Sequence, residues 1–195
     1  VDPFAGTLWL GAQAWKRKQN EKQQFWADLH WYYTSRMYFR RGVEFDALWE
    51  HSLSVPCGER QLRVPCNSDN LVIACVHLAA FDDNVPVRLN WLLDIYLLMA
   101  ALPEAEIPFL LERAQQAGAV EACLVCGEMA AELGPAEPLA AVLDALRGKA
   151  SARRLRAYDR TLRWRGWDLA RYWAGLPLAD KGRFFGDLLR WLKVR

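Results

Sequence analysis

No apolar stretch of this 195-residue sequence is long enough to cross a bilayer. The most apolar window, 89–102, spans 14 residues and carries Asp94 near its centre, whereas a spanning helix needs about 20 apolar residues. The sequence shows no basic leader followed by an apolar run and a small-residue cleavage site, so no secretory signal is visible. Its five cysteines are an odd number without the dense spacing of a secreted scaffold, and reduced thiols in a cytoplasmic protein are expected. Internal repeats and low-complexity tracts are lacking too. An initial Met is also missing, since the sequence begins Val1-Asp2-Pro3-Phe4; the expectation is that a longer protein has been cut here.

What is present is 53% hydrophobic and 12% aromatic with 25% charge. That excludes intrinsic disorder, collagen-like repeats and a disulfide miniprotein, and the length suits one domain or a domain with an appendage. The net charge of +2 conceals three blocks. Residues 1–43 hold 7 Lys/Arg against 3 Asp/Glu, residues 44–146 hold 4 against 16, and residues 147–195 hold 14 against 4. An acidic middle is followed by a basic end.

The first block reads as strands. Segments 16–19 and 23–33 flank Asn20-Glu21, a plausible hairpin turn. In the second segment Phe25, Ala27, Leu29, Trp31 and Tyr33 alternate onto one face, and Trp26, Asp28, His30 and Tyr32 onto the other. Beyond residue 44 the period changes from 2 to 3.6. A short helix carries Phe45, Leu48, Trp49 and Ser52; a small hairpin or loop over 57–65 is bounded by Pro56 and Pro65. Ser68 or Asp69 is a candidate cap for a helix over 70–81, which Asp82-Asp83-Asn84 breaks. An apolar helix over 88–101 stops before Pro103. Amphipathic helices near 104–117, 120–133 and 137–147 follow, punctuated by Gly118, Gly134-Pro135 and Gly148, and basic helices over 153–173 and 180–192 close the chain. The expected fold class is α+β, mostly α: a short β-hairpin, then helices. The expected divisions are 1–43, 44–150 and 151–195.

Three groups of residues could carry chemistry. Asp28 and His30 project two positions apart from one strand face. A carboxylate on a rigid support can hold Mg2+ near a phosphate, because hard cations take oxygen ligands; the same spacing also describes a solvated strand face. One carboxylate cannot hold a catalytic metal alone, and nothing upstream supplies a second at suitable spacing. His77 and Asp94 each sit within an apolar helix. An ionised Asp in apolar surroundings needs a partner, and His77 or Arg88 could be that partner. Spacing leaves open whether the group bridges two packed helices or faces a ligand. Cys123 and Cys126 form a C-x-x-C inside a helical run with no second pair and no following His pair, which suits small buried thiols better than zinc. Cys57 and Cys66 bracket the loop and could approach each other.

The basic end places Leu155, Tyr158, Leu162, Leu169 and Trp173 on one helical stripe. Trp164 and Trp167 lie off it among Arg153, Arg154, Arg156, Arg160, Arg163, Arg165 and Arg171. Such a segment suits an anionic lipid surface, nucleic acid or an acidic protein face. The acidic middle of the same chain is one such face, so internal docking stands beside an external partner.

These residues also resemble a family. Ala27-Asp28-Leu29-His30-Trp31 looks like the D-L-H-W strand of the uncharacterised bacterial nucleotidyltransferase-like proteins. Leu48-Trp49 with Ser52 and Val55, the Cys75-x-His77-x-Ala79 core of the 69–81 stretch, and Arg88-Leu89-Asn90-Trp91-Leu92-Leu93-Asp94-Ile95 follow in the family's order. Leu176-Pro177, Leu188-Leu189-Arg190 and Val194-Arg195 are similar to its close. The resemblance covers about residues 25–195. It implies a small mixed sheet with a Gly-Ser motif, two carboxylates in a D-x-D arrangement and a third from a later strand, followed by a helical domain. Asp28 would be that third carboxylate, catalytic and Mg2+-binding. The cation would bridge the nucleotide phosphates while an unknown acceptor hydroxyl attacks the α-phosphorus. His30, His77, Arg88 and Asp94 would be nucleotide-side or interdomain residues. The sequence has no Gly-Ser and no D-x-D ahead of Asp28. It is therefore expected to be the C-terminal part of such a protein, requiring an absent N-terminal segment, or a degenerate member, and as given not to catalyse the transfer. The alternative is a non-catalytic helical module whose 151–195 stretch binds a protein partner or an anionic membrane surface.

Overall fold

The computed structural model describes residues 12–18, 24–30, 39, 45–80, 88–163 and 181. The chain is α+β and mostly α. Strands β1 (Ala12–Lys18) and β2 (Gln24–His30) pair antiparallel, with Ala14 opposite Asp28 and Ala12 opposite His30. The pairing confirms the hairpin expected from the alternation; its turn, Trp31 and Tyr33 lie outside the described residues.

Helix α1 (Phe45–Glu50) leads into a second hairpin, β3 (Leu53–Cys57) with β4 (Arg60–Val64). The hairpin starts earlier than the sequence suggests, and Pro56, expected as a boundary, sits inside β3 opposite Gln61. Proline is tolerated there because a two-stranded sheet consists of edge strands alone. Gly58, at φ 61°, opens the two-residue turn, where a positive φ matches the twist of the flanking strands. Arg63 ties hairpin to helix: its Nε donates to Ser52 Oγ (2.7 Å), its Nη2 to the Trp49 carbonyl (2.9 Å), and its guanidinium lies 5.2 Å from the Trp49 ring centre.

The helical part comprises α2 (Asn67–Ala80), α3 (Leu89–Ala100), α4 (Ile107–Gln116), α5 (Val120–Ala130), α6 (Ala140–Lys149) and α7 (Ala152–Arg163). Of the three amphipathic segments read from the sequence, the first and third begin and the second ends with a 3-10 turn: Glu104–Glu106, Glu137–Leu139 and Ala131–Leu133. Gly148 does not punctuate α6 but lies within it. Gly118, at φ 62°, does end α4. Its N–H donates to Gln115 O (3.0 Å) and that of Ala119 to Ala114 O (2.7 Å). This pair of bonds satisfies the last carbonyls of a helix around a left-handed residue, a conformation that glycine adopts without a Cβ penalty.

Helix α5 is the hub. Val120, Ala122, Cys123, Leu124, Cys126 and Ala130 are buried around its circumference, as expected of a helix enclosed by others. Helices α2, α3, α4, α6 and α7 all pack on it. Gly127 makes the closest approach possible: a Cβ there would lie 2.5 Å from Met99 Cε and 2.9 Å from Leu143 Cδ2. Leu71, Val72, Ile95, Met99, Leu110 and Leu146 fill the surrounding core.

The C-x-x-C thiols are small core groups, and all five cysteines are free. Cys126 Sγ donates to the Cys75 carbonyl at 3.5 Å. Hydrogen bonds with the Cys123 and Cys126 thiols, and then burial, hold the Cys75 thiol well above its ordinary value of 9.0. In the unfolded chain that thiol loses its proton near the ordinary value; in the folded chain it does not. The contribution is thus complete below pH 9.0 and lost as pH rises above it. Urea unfolding across this window should show stability falling by up to about 1.4 kcal/mol per pH unit more than in Cys75→Ala. Parallel slopes for the two proteins would refute the assignment.

Candidate functional site

Helices α2 and α3 pack side by side and leave a groove of about 540 Å³ along their outer surface. Asn70, Ile73 and His77 from α2 line it, with Trp91, Asp94 and Leu97 from α3. The site is reached by ordinary helical spacing. Asn70, Ile73 and His77 recur at i, i+3 and i+7, and Trp91, Asp94 and Leu97 at steps of three, so each set forms one stripe. The opposite stripe of α3, through Ile95 and Met99, faces the core.

Trp91 lines the groove and contacts two of the residues singled out in the sequence. The His77 ring meets it edge to face at 5.1 Å between centres, and the Arg88 guanidinium lies 5.1 Å from its centre. Arg88 is the N-cap residue of α3, extended at φ −83° and ψ 127°, and makes no side-chain capping bond. A cation at this end opposes the helix dipole, and its contact with the tryptophan ring offsets that cost. The structure therefore joins His77 and Arg88 through one tryptophan, and Asp94 lines the same groove.

Asp94 departs from expectation. The apolar run around it predicts a partner for the carboxylate, but the side chain is exposed on the groove wall and makes no ion pair or hydrogen bond among the described residues. Solvent stabilises its charge, so the helix needs no internal cation there. Of its apolar neighbours, Leu93 is half exposed while Ile95 faces the core.

A buried ion pair lies elsewhere and was not anticipated. Arg113 Nε donates to Asp69 Oδ1 at 2.6 Å, with both side chains almost wholly buried. Arg113 Nη1 donates to Gln116 Oε1 (3.0 Å), while its buried Nη2 has no hydrogen-bond partner among the described residues. Cys66 Sγ donates to Asp69 Oδ2 (3.4 Å), and burial, the largest influence, pushes the Cys66 thiol up. Ser68 and Asp69 were candidate caps, but α2 starts at Asn67, so both lie inside its first turn. The sequence did hold a signal. Arg113 follows Leu110 by three residues on the apolar face of α4, and it is one of four basic residues in the acidic block 44–146.

Asp28 and His30 are placed on β2, and the groove's described lining contains neither. Facing Asp28, β1 offers no carboxylate in its sequence Ala-Gln-Ala-Trp-Lys-Arg-Lys. No group of three His, Cys, Asp or Glu side chains that could hold a metal occurs among the described residues. These residues do not complete a Mg2+ site.

The basic end begins by turning inward. Ser151 Oγ accepts from the Arg154 N–H (3.2 Å) and caps α7. Tyr158 is buried, and Arg154 Nε lies 3.0 Å from Glu121 Oε1 on α5, an ion pair without hydrogen-bond alignment. The tryptophans and arginines beyond Arg163, the expected helix over 180–192 and the closing motifs from Leu176 to Arg195 lie outside the described residues, apart from Lys181. No helix among the described residues is long and apolar enough to cross a membrane.

Neither a curated protein nor a solved structure matches the chain. The model of a protein family described as "Uncharacterised nucleotidyltransferase" matches residues 10–135, a span that takes in both hairpins, the groove and the hub helix. By this match over more than half its length, the chain belongs to the uncharacterised nucleotidyltransferase family.

Proposed function

We propose that this protein takes part in nucleotidyl transfer: an acceptor oxygen forms a bond to the α-phosphorus of a nucleoside triphosphate as the bond to pyrophosphate breaks. Family membership is the observation that carries the reading. Asp28, on the strand that resembles the family's D-L-H-W segment, is the catalytic carboxylate in this reading, with His30 on the nucleotide side. Mg2+ dependence follows from the same resemblance and requires carboxylates beyond those of the hairpin.

Arg88 supports a nucleotide-side role for the end of α3. Its guanidinium and the positive end of the α3 dipole both favour negative charge. The second reading, a module whose 151–195 stretch binds an anionic surface, finds less support, because Arg154 is turned toward Glu121.

Equilibrium dialysis of Mg2+ and nucleoside triphosphate against the intact protein tests the role of Asp28. Asp28→Ala should weaken retention about tenfold or more, the equivalent of about 1.4 kcal/mol. Equal retention and equal turnover by both proteins would remove Asp28 from the site.

A further inference from the structure

We infer that the α2–α3 groove takes the acceptor rather than the nucleotide, and that this acceptor is a non-anionic polyol of sugar size. The inference rests on the nucleotidyl-transfer reading for the word acceptor, but not for the binding itself.

Beside the His77 ring, which is already engaged with Trp91, Asn70 and Asp94 are the polar side chains that bear on the ligand's chemistry. Asn70 Nδ2 donates to the Pro65 carbonyl at 3.0 Å. A carbonyl only accepts, so one N–H of the amide is engaged there, which leaves the second N–H as a donor and Oδ1 as an acceptor. Asp94 adds two carboxylate oxygens with no cation or donor engaged among the described residues. Asn70 and Asp94 thus offer acceptors on opposite walls, one on each helix. A ligand satisfying them presents hydroxyl or amine donors. A triphosphate, itself all acceptor and highly charged, would set anion against anion at Asp94.

Size and surface agree. A volume of about 540 Å³ lies within the range of small-molecule sites, which combine mainly apolar walls with a few convergent polar groups. Ile73, Leu97 and Leu98 supply walls for the C–H faces of a ring, and the acceptors meet its hydroxyls. The N-cap and the middle of α3 then divide the labour. Arg88 at the N-cap favours phosphate, and Asp94 lies six residues further, about 9 Å along the axis. An acceptor held at Asp94 would lie beside a nucleotide held at Arg88.

Saturation-transfer NMR on the intact protein tests this with glucosamine and N-acetylglucosamine as probes, each at about 10 mM to populate even a millimolar site. Both should receive saturation, and metal-free ATP should not displace them. Asp94→Ala should weaken both about tenfold, as expected for a hydrogen bond to a charged group. Asp94→Asn, which keeps the shape, should weaken the cationic glucosamine more than its neutral N-acetyl counterpart. The exposed position makes both variants compatible with folding, which circular dichroism checks. No saturation of either probe, signals unchanged in Asp94→Ala, or displacement by ATP would each overturn the inference. Probe binding that survives Asp28→Ala, in a protein whose nucleotide retention ignores Asp28, would sink the transfer reading while leaving the groove as a polyol site.

Discussion

Arg113→Ala should lower the unfolding free energy by about 3–5 kcal/mol, the cost of leaving one member of a buried ion pair alone. Asp69 is 1% exposed and takes its strongest hydrogen bond from Arg113 Nε. Without that cation its charge stays buried beside a thiol that supplies only a weak donor. Asp69→Ala should cost a similar amount, because it strands a guanidinium whose Nη2 already has no partner among the described residues. The pair itself is not expected to be worth that much. Removing both charges with Asp69→Leu and Arg113→Met together should cost clearly less than either single change, since apolar side chains of similar volume avoid the desolvation penalty. Urea unfolding of the four proteins closes a double-mutant cycle. Single changes costing under about 1 kcal/mol would show that the pair is hydrated in solution and behaves as a surface contact.

Gly127→Val should destabilise the chain by about 1–3 kcal/mol through overpacking. A Cβ there already falls within contact limits of Met99 Cε and Leu143 Cδ2, and the branched side chain adds two more carbons. Met99 is flexible, but it is fully buried and has little space to retreat into. Relief must come from moving α3 away from α5, which also moves the wall of the groove. Gly127→Ala should cost less, because helix propensity returns up to about 1 kcal/mol and the single methyl requires Met99 and Leu143 to shift only their ends. Thermal unfolding of both variants, with probe binding read alongside, checks the ordering. A neutral or stabilising Gly127→Val would mean that the core around α5 is looser than its packing indicates.

Much of this arrangement was legible in the sequence because it rests on local rules. Apolar spacing placed α2 and α3 within a few residues of their observed ends, and the alternation at Phe25, Ala27 and Leu29 marked β2. Gly118 marked the end of α4 because only its backbone suits a positive φ. The failures are tertiary. Asp94 looked buried because its sequence neighbours are apolar, but α3 turns Leu89, Leu93 and Leu97 outward. Asp69 looked like a cap because caps and first-turn acids share residue types; Arg113, 44 residues away, decides its role. His77, Arg88 and Asp94 were singled out together without the residue that joins His77 to Arg88, Trp91. An aromatic in an apolar helix reads as core, and pattern alone does not separate a core tryptophan from one lining a groove.

On the proposed reading, nucleotide binding depends on Asp28 and acceptor binding on Asp94. Calorimetric titration of Mg2+-nucleotide into the intact protein, its Asp28→Ala variant and its Asp94→Ala variant tests it most directly. Affinity should fall at least about tenfold in Asp28→Ala and stay unchanged in Asp94→Ala. A nucleotide affinity that falls in Asp94→Ala and persists in Asp28→Ala would contradict the account.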